Sequence, residues 1–430
     1  MKIRAALILL LILICICRIA NANGVPLFIL DAAIDSEEIS AAKQELLIRK
    51  QSINTINTDY YPDISANITG GWLRDNATTS ASVPKSIEIT NPQTYSLSID
   101  QEIWSGGQTN LATKIAQLEY KSEKYKYLDK VQEKIIELIQ LIGEIIRLEQ
   151  TLYYIEKNIN VLNYNLNSSK IRFKLGEISE TDVYKSESRI SSVKADKIKT
   201  EYELSTALKR YENEFKEKYI QTIMLQPLNV KPFDESTIIE NNYELLSARI
   251  SEKALIQKYK KQAKTNWPTL SASAELKQSH EQINESSEST ELSALLKLKI
   301  PLYDGGKNVS KVREISLQIN KAKKTYKFTV NQKYQDFDST HGEYRSVLQR
   351  ANAIREEIKF SDIALNATKK EVEVGTKSII DMLDSEKELL DARLKLLNEE
   401  EKIVLATYRL NSLTGSLFDK SFEIKALSHN

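Results

Sequence analysis

Cysteine is almost absent: the 430-residue chain has two, Cys15 and Cys17, and both lie in its first apolar stretch. A disulfide framework is therefore excluded for everything after that stretch, and so is thiol chemistry. Prolines number eight, and none falls between Gly107 and Gly176 or between Gly306 and Gly375. Two long segments are thus free of the residue that most strongly breaks helices. Charge of one sign is also missing: 60 basic against 59 acidic residues leave a formal +1. Without a basic excess or stripe, nothing points to a nucleic-acid partner. Beyond residue 22 there is no apolar run of 18 residues, so if the chain enters a membrane it must do so by β-strands. No Gly-rich phosphate loop of the G-x-x-x-x-G-K-[ST] type occurs, which leaves the chain without a visible energy source.

What is present begins with an address. Lys2 and Arg4 precede an apolar run, Ala5 to Cys17, which is followed by Arg18 and Ala20-Asn21-Ala22. This is the layout of a secretory signal peptide cut after Ala22, with an apolar centre too short to span a bilayer. A lipid anchor on the cysteines is not expected, because Ile14 and Ile16 stand where a small residue would be needed. Removal of residues 1–22 takes Lys2, Arg4 and Arg18, leaving 57 basic against 59 acidic groups.

The rest of the chain is a duplication with an offset of 199. Trp104-Ser-Gly106-Gly107 recurs as Tyr303-Asp-Gly305-Gly306, and Leu175-Gly176 through Asp182 to Glu187 recurs as Val374-Gly375-Thr376 through Asp381 to Glu386. Gly106 to Gly176 and Gly305 to Gly375 are both 70 positions, so the length itself is under constraint. In the first stretch Leu128, Val131, Ile135, Leu138, Ile142, Ile145 and Leu148 step by threes and fours. In the second, Val312, Ile315, Ile319, Ala322, Tyr326, Val330 and onward to Leu348 and Ala351 do the same. Spacing near 3.5 predicts coiled-coil rods, and 70 residues of helix reach roughly 100 Å.

Each repeat opens with a shorter helix, 31–57 and 237–265, ending at Tyr61-Pro62 and Trp267-Pro268, since the residue before proline is pushed out of the α region. Alternating segments follow. Ile64, Ala66, Ile68, Gly70 and Trp72 oppose Ser65, Asn67 and Thr69, while Tyr95, Leu97, Ile99 and Ile103 oppose Ser96, Ser98, Asp100 and Glu102. In the second repeat Leu270, Ala272, Ala274 and Leu276 are followed by Ala294, Leu296, Leu298, Ile300 and Leu302. Polar loops near 74–93 and 279–290 join each pair. Gly106-Gly107 and Gly305-Gly306 then turn the chain into the rods. Return helices begin near Thr181 and after Gly375; the last carries two apolar heptad columns, which suits a helix with neighbours on two sides. Residues 23–222 form the first repeat, 223–236 an irregular connection, 237–417 the second repeat, and 418–430 a polar tail. The fold class is mainly α with a small β part. Four one-sided strands cannot close a barrel, so sister chains must complete it; a sheet packed on a soluble core is the alternative.

These features resemble the TolC family of outer-membrane efflux channels, most specifically Tyr303-Asp-Gly-Gly, Val374-Gly-Thr through Asp381-Met-Leu-Asp384, and Leu413-Thr-Gly-Ser-Leu417. The resemblance spans about residues 31 to 417. It implies a homotrimer with a 12-stranded barrel in the outer membrane of a Gram-negative bacterium and a long antiparallel α-helical barrel across the periplasm. It further implies a periplasmic adaptor docking on the Leu175-Gly176 and Val374-Gly375-Thr376 tips, and an inner-membrane pump of the ABC or RND type. The chain itself would be a passive exit duct and not an enzyme, with no cofactor. Protein secretion of type I and multidrug efflux both stay open as cargo. By position, Asp182 falls on the family's coil-tying acid and Lys377 on its basic partner, here lysine in place of arginine. Val372 stands where a tyrosine usually completes the closed-state latch. Asp381 and Asp384 fall on the entrance carboxylates, which in a trimer make two rings favouring cations. The alternative is that they merely start the return helix, where acids suit the dipole. A soluble periplasmic coiled-coil scaffold or adaptor is the other functional reading. His280, His341 and His429 are scattered, so packed or solvated roles are expected for them and no metal site.

Overall fold

The computed structural model describes residues 25–77, 86–220, 223–230, 235–281 and 287–428. The expected signal peptide, His429 and the middles of both expected loops lie outside these. The described elements run α1 (Leu27–Asp35), α2 (Glu37–Asn57), β1 (Asp63–Gly70), β2 (Leu73–Ala77), β3 (Ser86–Thr90), β4 (Gln93–Trp104), α3 (Gln108–Lys174) and α4 (Glu180–Phe215). They continue with α5 (Glu235–Asn241), α6 (Tyr243–Ala263), β5 (Thr269–His280), β6 (Glu288–Lys299), α7 (Lys307–Glu373), α8 (Ile379–Leu413) and α9 (Lys420–Ser428). Both rods are 67 residues long, about 100 Å of helix each. Compact packing cuts across the duplication: Met1–Lys43, Tyr125–Leu246 and Phe328–Asn430 make one unit, and Gln44–Lys124 with Ser247–Lys327 the other.

In the second of these units a four-stranded antiparallel sheet runs β1-β4-β5-β6. Its register gathers the alternation of all four strands onto common rows. Ile64 lies opposite Ile99, Ile99 opposite Ala274 and Ala274 opposite Ala294; the next row is Ala66, Leu97, Leu276, Leu292. On the other face Ser65, Ser98, Glu275 and Ser293 form a row, with Ser65 and Ser98 hydroxyls 2.8 Å apart. Among the described residues the apolar face is left open: Ile68 is 77% and Leu296 75% exposed. A sheet lying on a soluble core would bury that face, so that alternative fails.

Several expectations need correction. The stretch 74–93 is not a bare polar loop, because β2 and β3 pair antiparallel as a separate ribbon; Ile87 and Ile89 alternate with Ser86, Glu88 and Thr90 there. Trp72 lies in the bend before β2, and Ile300 and Leu302 lie past the end of β6. The expected helix 31–57 is two helices, since Ser36 adopts an extended backbone and its Oγ accepts from the Ile39 amide at 3.4 Å. Likewise Asn242 splits 237–265, its Oδ1 accepting from the Leu245 amide at 3.1 Å as an N-cap. The first return helix, which the sequence suggests from about Thr181 to Tyr219, ends at Phe215, where Lys216 turns left-handed. The tail after Gly415 is not merely polar, for α9 buries Phe422 and Ala426.

The helical unit holds the deepest core. Leu128, Val131, Ile135, Ile142 and Ile145 of the first rod are wholly buried, whereas the second rod buries Val347 and Ala351 against Ile403 and leaves Phe360 and Ile363 exposed. Ion pairs give the lateral order: α3 meets α4 through Lys197–Glu156 (2.9 Å), α8 meets α3 through Glu401–Arg147 (2.7 Å), and α8 meets α7 through Glu399–Arg350 (2.8 Å). Helix α8 thus has neighbours on two sides, as its two columns require.

Strand-to-rod turns use glycine for geometry. Gly106, Gly107, Gly305 and Gly306 all have φ between 65° and 80°. A Cβ on Gly106 would stand 2.8 Å from Trp267 Cβ, while one on Gly305 meets nothing within 4 Å. Gly106→Ala is therefore expected to lower stability by about 2 kcal/mol or more and Gly305→Ala by only about 1 kcal/mol. Thermal melts in detergent showing equal losses would contradict this.

Candidate functional site

Both rods end in the same closure. At the first, the Gly176 amide (φ 78°) donates to Phe173 O at 2.9 Å and the Glu177 amide to Arg172 O at 2.9 Å; at the second, the Gly375 amide (φ 80°) donates to Val372 O at 3.3 Å and the Thr376 amide to Glu371 O at 2.8 Å. Two such bonds around a left-handed glycine satisfy the last carbonyls of a helix. A Cβ on Gly176 or Gly375 would touch nothing within 4 Å, so the backbone angle alone demands glycine. Leu175 and Val374 precede them with exposed side chains.

Each return helix starts with a capping box. Asp182 Oδ2 accepts from the Ser179 amide at 3.2 Å and hydroxyl at 2.9 Å; Asp381 Oδ2 accepts from the Ser378 amide at 2.9 Å and hydroxyl at 2.7 Å, and the Asp381 amide donates to Ser378 Oγ at 3.2 Å. The Ser-x-x-Asp spacing signals this box in the sequence itself. Asp381 therefore does start its helix. The Ser378 hydroxyl, then its amide, hold the Asp381 carboxyl below the ordinary 3.8. Lys377 Nζ lies 2.9 Å from Glu371, which raises its pKa. Within one chain Lys377 and Asp182 thus have separate partners and are not brought together.

Asp384 is different: Arg189 Nη2 of α4 donates to its Oδ1 at 2.8 Å. Val372 is buried among Ile155, Ile379 and Met382, and its carbonyl receives Arg172 Nη1 at 3.4 Å. Below them is a node that periodicity does not reveal. Glu386 is 5% exposed and accepts from Asn165 Nδ2 of α3 at 3.1 Å. Lys369 Nζ of α7 stands 3.5 Å from Glu386 Oε1, long for a hydrogen bond, and that oxygen accepts none. Burial raises the Glu386 pKa above the ordinary 4.5, against the Lys369 charge and the Asn165 hydrogen bond. The repeat-equivalent pair, Lys170–Glu187 at 2.8 Å, is half-exposed on both sides. A groove of about 560 Å³ beside the node is lined by Tyr164, Asn165, Arg172, Lys369, Val372 and Met382. Among the described residues no three His, Cys, Asp or Glu side chains could hold a metal ion. His280 instead meets Glu288 across the strands at 3.2 Å, and His341 stacks on Phe337.

The family described as "Outer membrane efflux protein" matches residues 29–211 and 236–416, both repeats. The chain belongs to this family. It is 21% identical over 371 residues to "Outer membrane protein TolC" of Vibrio cholerae, covering 82% of each chain. It is 19% identical over 402 residues to "Outer membrane efflux protein BepC" of Brucella suis, covering 90% of this chain and 84% of that one. A membrane protein from Pseudomonas aeruginosa superposes with a TM-score of 0.82 at 16% identity, over 94% and 92% of the two chains. The CmeC outer membrane channel of Campylobacter jejuni gives 0.79 at 14%, over 93% and 88%. This outer membrane efflux protein is a channel-family member, not an enzyme, and its place is the outer membrane.

The tip of this efflux protein carries one testable imbalance. A carboxyl whose folded pKa is raised binds its proton more tightly in the native state, so stability falls as pH rises from the unfolded value, 4.5, through the folded one. Glu386→Gln, which keeps the shape, is expected to raise the melting midpoint at pH 7 by about 2 °C, with the gain vanishing below the ordinary carboxylate range. A lower midpoint at pH 7 would show that the Lys369 pairing outweighs burial.

Proposed function

We propose that this outer membrane efflux protein is the passive exit duct of a tripartite export system. Three copies supply three sheets of four strands, closing a twelve-stranded barrel in the lipid. Their rods form an α-helical barrel of about 100 Å through the periplasm. The observation that carries this reading is the sheet, which has one apolar face uncovered and two free edges, β1 and β6. Lipid suits the face, and only strands from sister chains can satisfy the edges within hydrocarbon. Exposed apolar residues on the rods, Phe328, Phe360 and Ile363, and on α4, Ile198 and Tyr202, support helical neighbours beyond the single chain.

Driving force comes from an inner-membrane ABC or RND-type pump, joined by a periplasmic adaptor that docks on the Leu175-Gly176 and Val374-Gly375-Thr376 turns. Their closed backbone loops and exposed Leu175 and Val374 supply a small apolar contact on each tip. Cargo is a secreted protein, small molecules, or both. Asp381 and Asp384 form the acid rings of the entrance, and three symmetry copies provide the clustering that one chain lacks.

Reconstitution in planar bilayers tests the duct. Purified chains are expected to migrate as heat-resistant trimers and to conduct with a preference for cations. Asp381→Asn with Asp384→Asn should abolish that preference while current persists. A protein that leaves the membrane without detergent, or gives no current, is not a duct.

A further inference from the structure

The two return helices differ in charge at two of three repeat-equivalent positions. On α8 the acids are Asp381, Asp384 and Glu388; at the same places minus 199, α4 has Asp182, Lys185 and Arg189. One acid is thus kept and two are exchanged for cations. The exchange is used in the structure. Arg189 Nη2 lies 2.8 Å from Asp384 Oδ1, and a cleft of about 310 Å³ between the helices is lined by Lys185, Ser188, Arg189, Ser192, Ile380 and Asp384.

Arg189 is 24% and Asp384 62% exposed. An ion pair this open adds little to stability because water screens it. Its larger effect is on the field that a passing ion meets, because a guanidinium is always charged and cancels the carboxylate beside it. Asp381 bonds instead to the hydroxyl and amide of Ser378, and the nearby Lys377 charge, which acts on it, is itself paired with Glu371 at 2.9 Å.

We propose that Arg189 determines the ion selectivity of the entrance by neutralising the Asp384 ring within each chain, so that cation preference rests on Asp381 alone. This rests on the duct reading above. The pairing lets the entrance keep acidic side chains without a strong trap for divalent cations. Cargo then meets one uncompensated acid ring in place of two. Lys185, in the same cleft, reinforces the effect.

The test is bilayer recording of the full processed protein, with reversal potentials in a KCl gradient and Mg²⁺ added at the tip side. Arg189→Gln is expected to move the reversal potential toward the K⁺ limit and to lower the half-blocking Mg²⁺ concentration about tenfold. Arg189→Lys, which keeps the charge, should leave both near those of the unaltered channel. Adding Asp384→Asn to Arg189→Gln should undo the gain. If Arg189→Gln channels conduct with unchanged selectivity and unchanged block, the assignment of Arg189 is wrong although the duct stands. Absence of current from the unaltered protein overturns the duct itself.

Discussion

Backbone hydrogen bonding at the edges of an open sheet is the constraint on which the rest depends. Among the described residues strands β1 and β6 each have one side without a partner strand, and the face they share leaves Ile64, Ile68, Leu292 and Leu296 exposed. In water such a sheet would invite aggregation. In hydrocarbon the apolar face is at rest, but an unpaired edge costs several kcal/mol per group. The only arrangement that satisfies both demands is closure with other strands of the same kind. One chain brings four, too few for a barrel, so the unit of function in the proposed account is an assembly.

The helical unit follows the same logic with charge in place of backbone bonds. Its first rod buries its seam from Leu128 to Leu148, while towards their far ends both rods keep large apolar side chains such as Tyr164 and Phe360 exposed. Between neighbouring helices run pairs such as Arg147–Glu401, Lys197–Glu156 and Arg355–Glu400. Exposed pairs of this kind contribute little to stability one by one, yet they distinguish which helix lies beside which. Near the tips the pairs change character: Glu386 sits buried under Asn165, and Asp384 is held by Arg189. Packing there restrains the charges near the rod ends.

Much of this was legible in the sequence, and the parts that were not share a cause. The rods could be read because 3.5-residue spacing, from Leu128 to Leu148 and from Val312 to Ala351, lies in segments without proline. The four strands of the sheet could be read because their alternation has few departures, such as Gln101 and Leu295. The β2–β3 ribbon was hidden by its polar composition, and the breaks at Ser36 and Asn242 by the fact that one capping residue can interrupt a periodic run without disturbing its phase. Helix α9 was hidden by its shortness. Asp381 and Asp384 were found by position, but the pairing of Asp384 with Arg189 depends on which helix lies opposite, and no single-helix pattern carries that. The burial of Glu386 carries no signal in the sequence for the same reason, since its repeat-equivalent, Glu187, is half-exposed and paired with Lys170.

Closure of the sheet by sister chains is open to direct measurement, because the chain has no cysteine after Cys17. Ser65→Cys on β1 can be combined, one at a time, with Ser289→Cys, Glu291→Cys, Ser293→Cys, Leu295→Cys or Lys297→Cys on the same face of β6, and the membranes oxidised. The account predicts covalent dimers and trimers, and nothing larger, at one position of that series. Monomers alone at all five positions would contradict it.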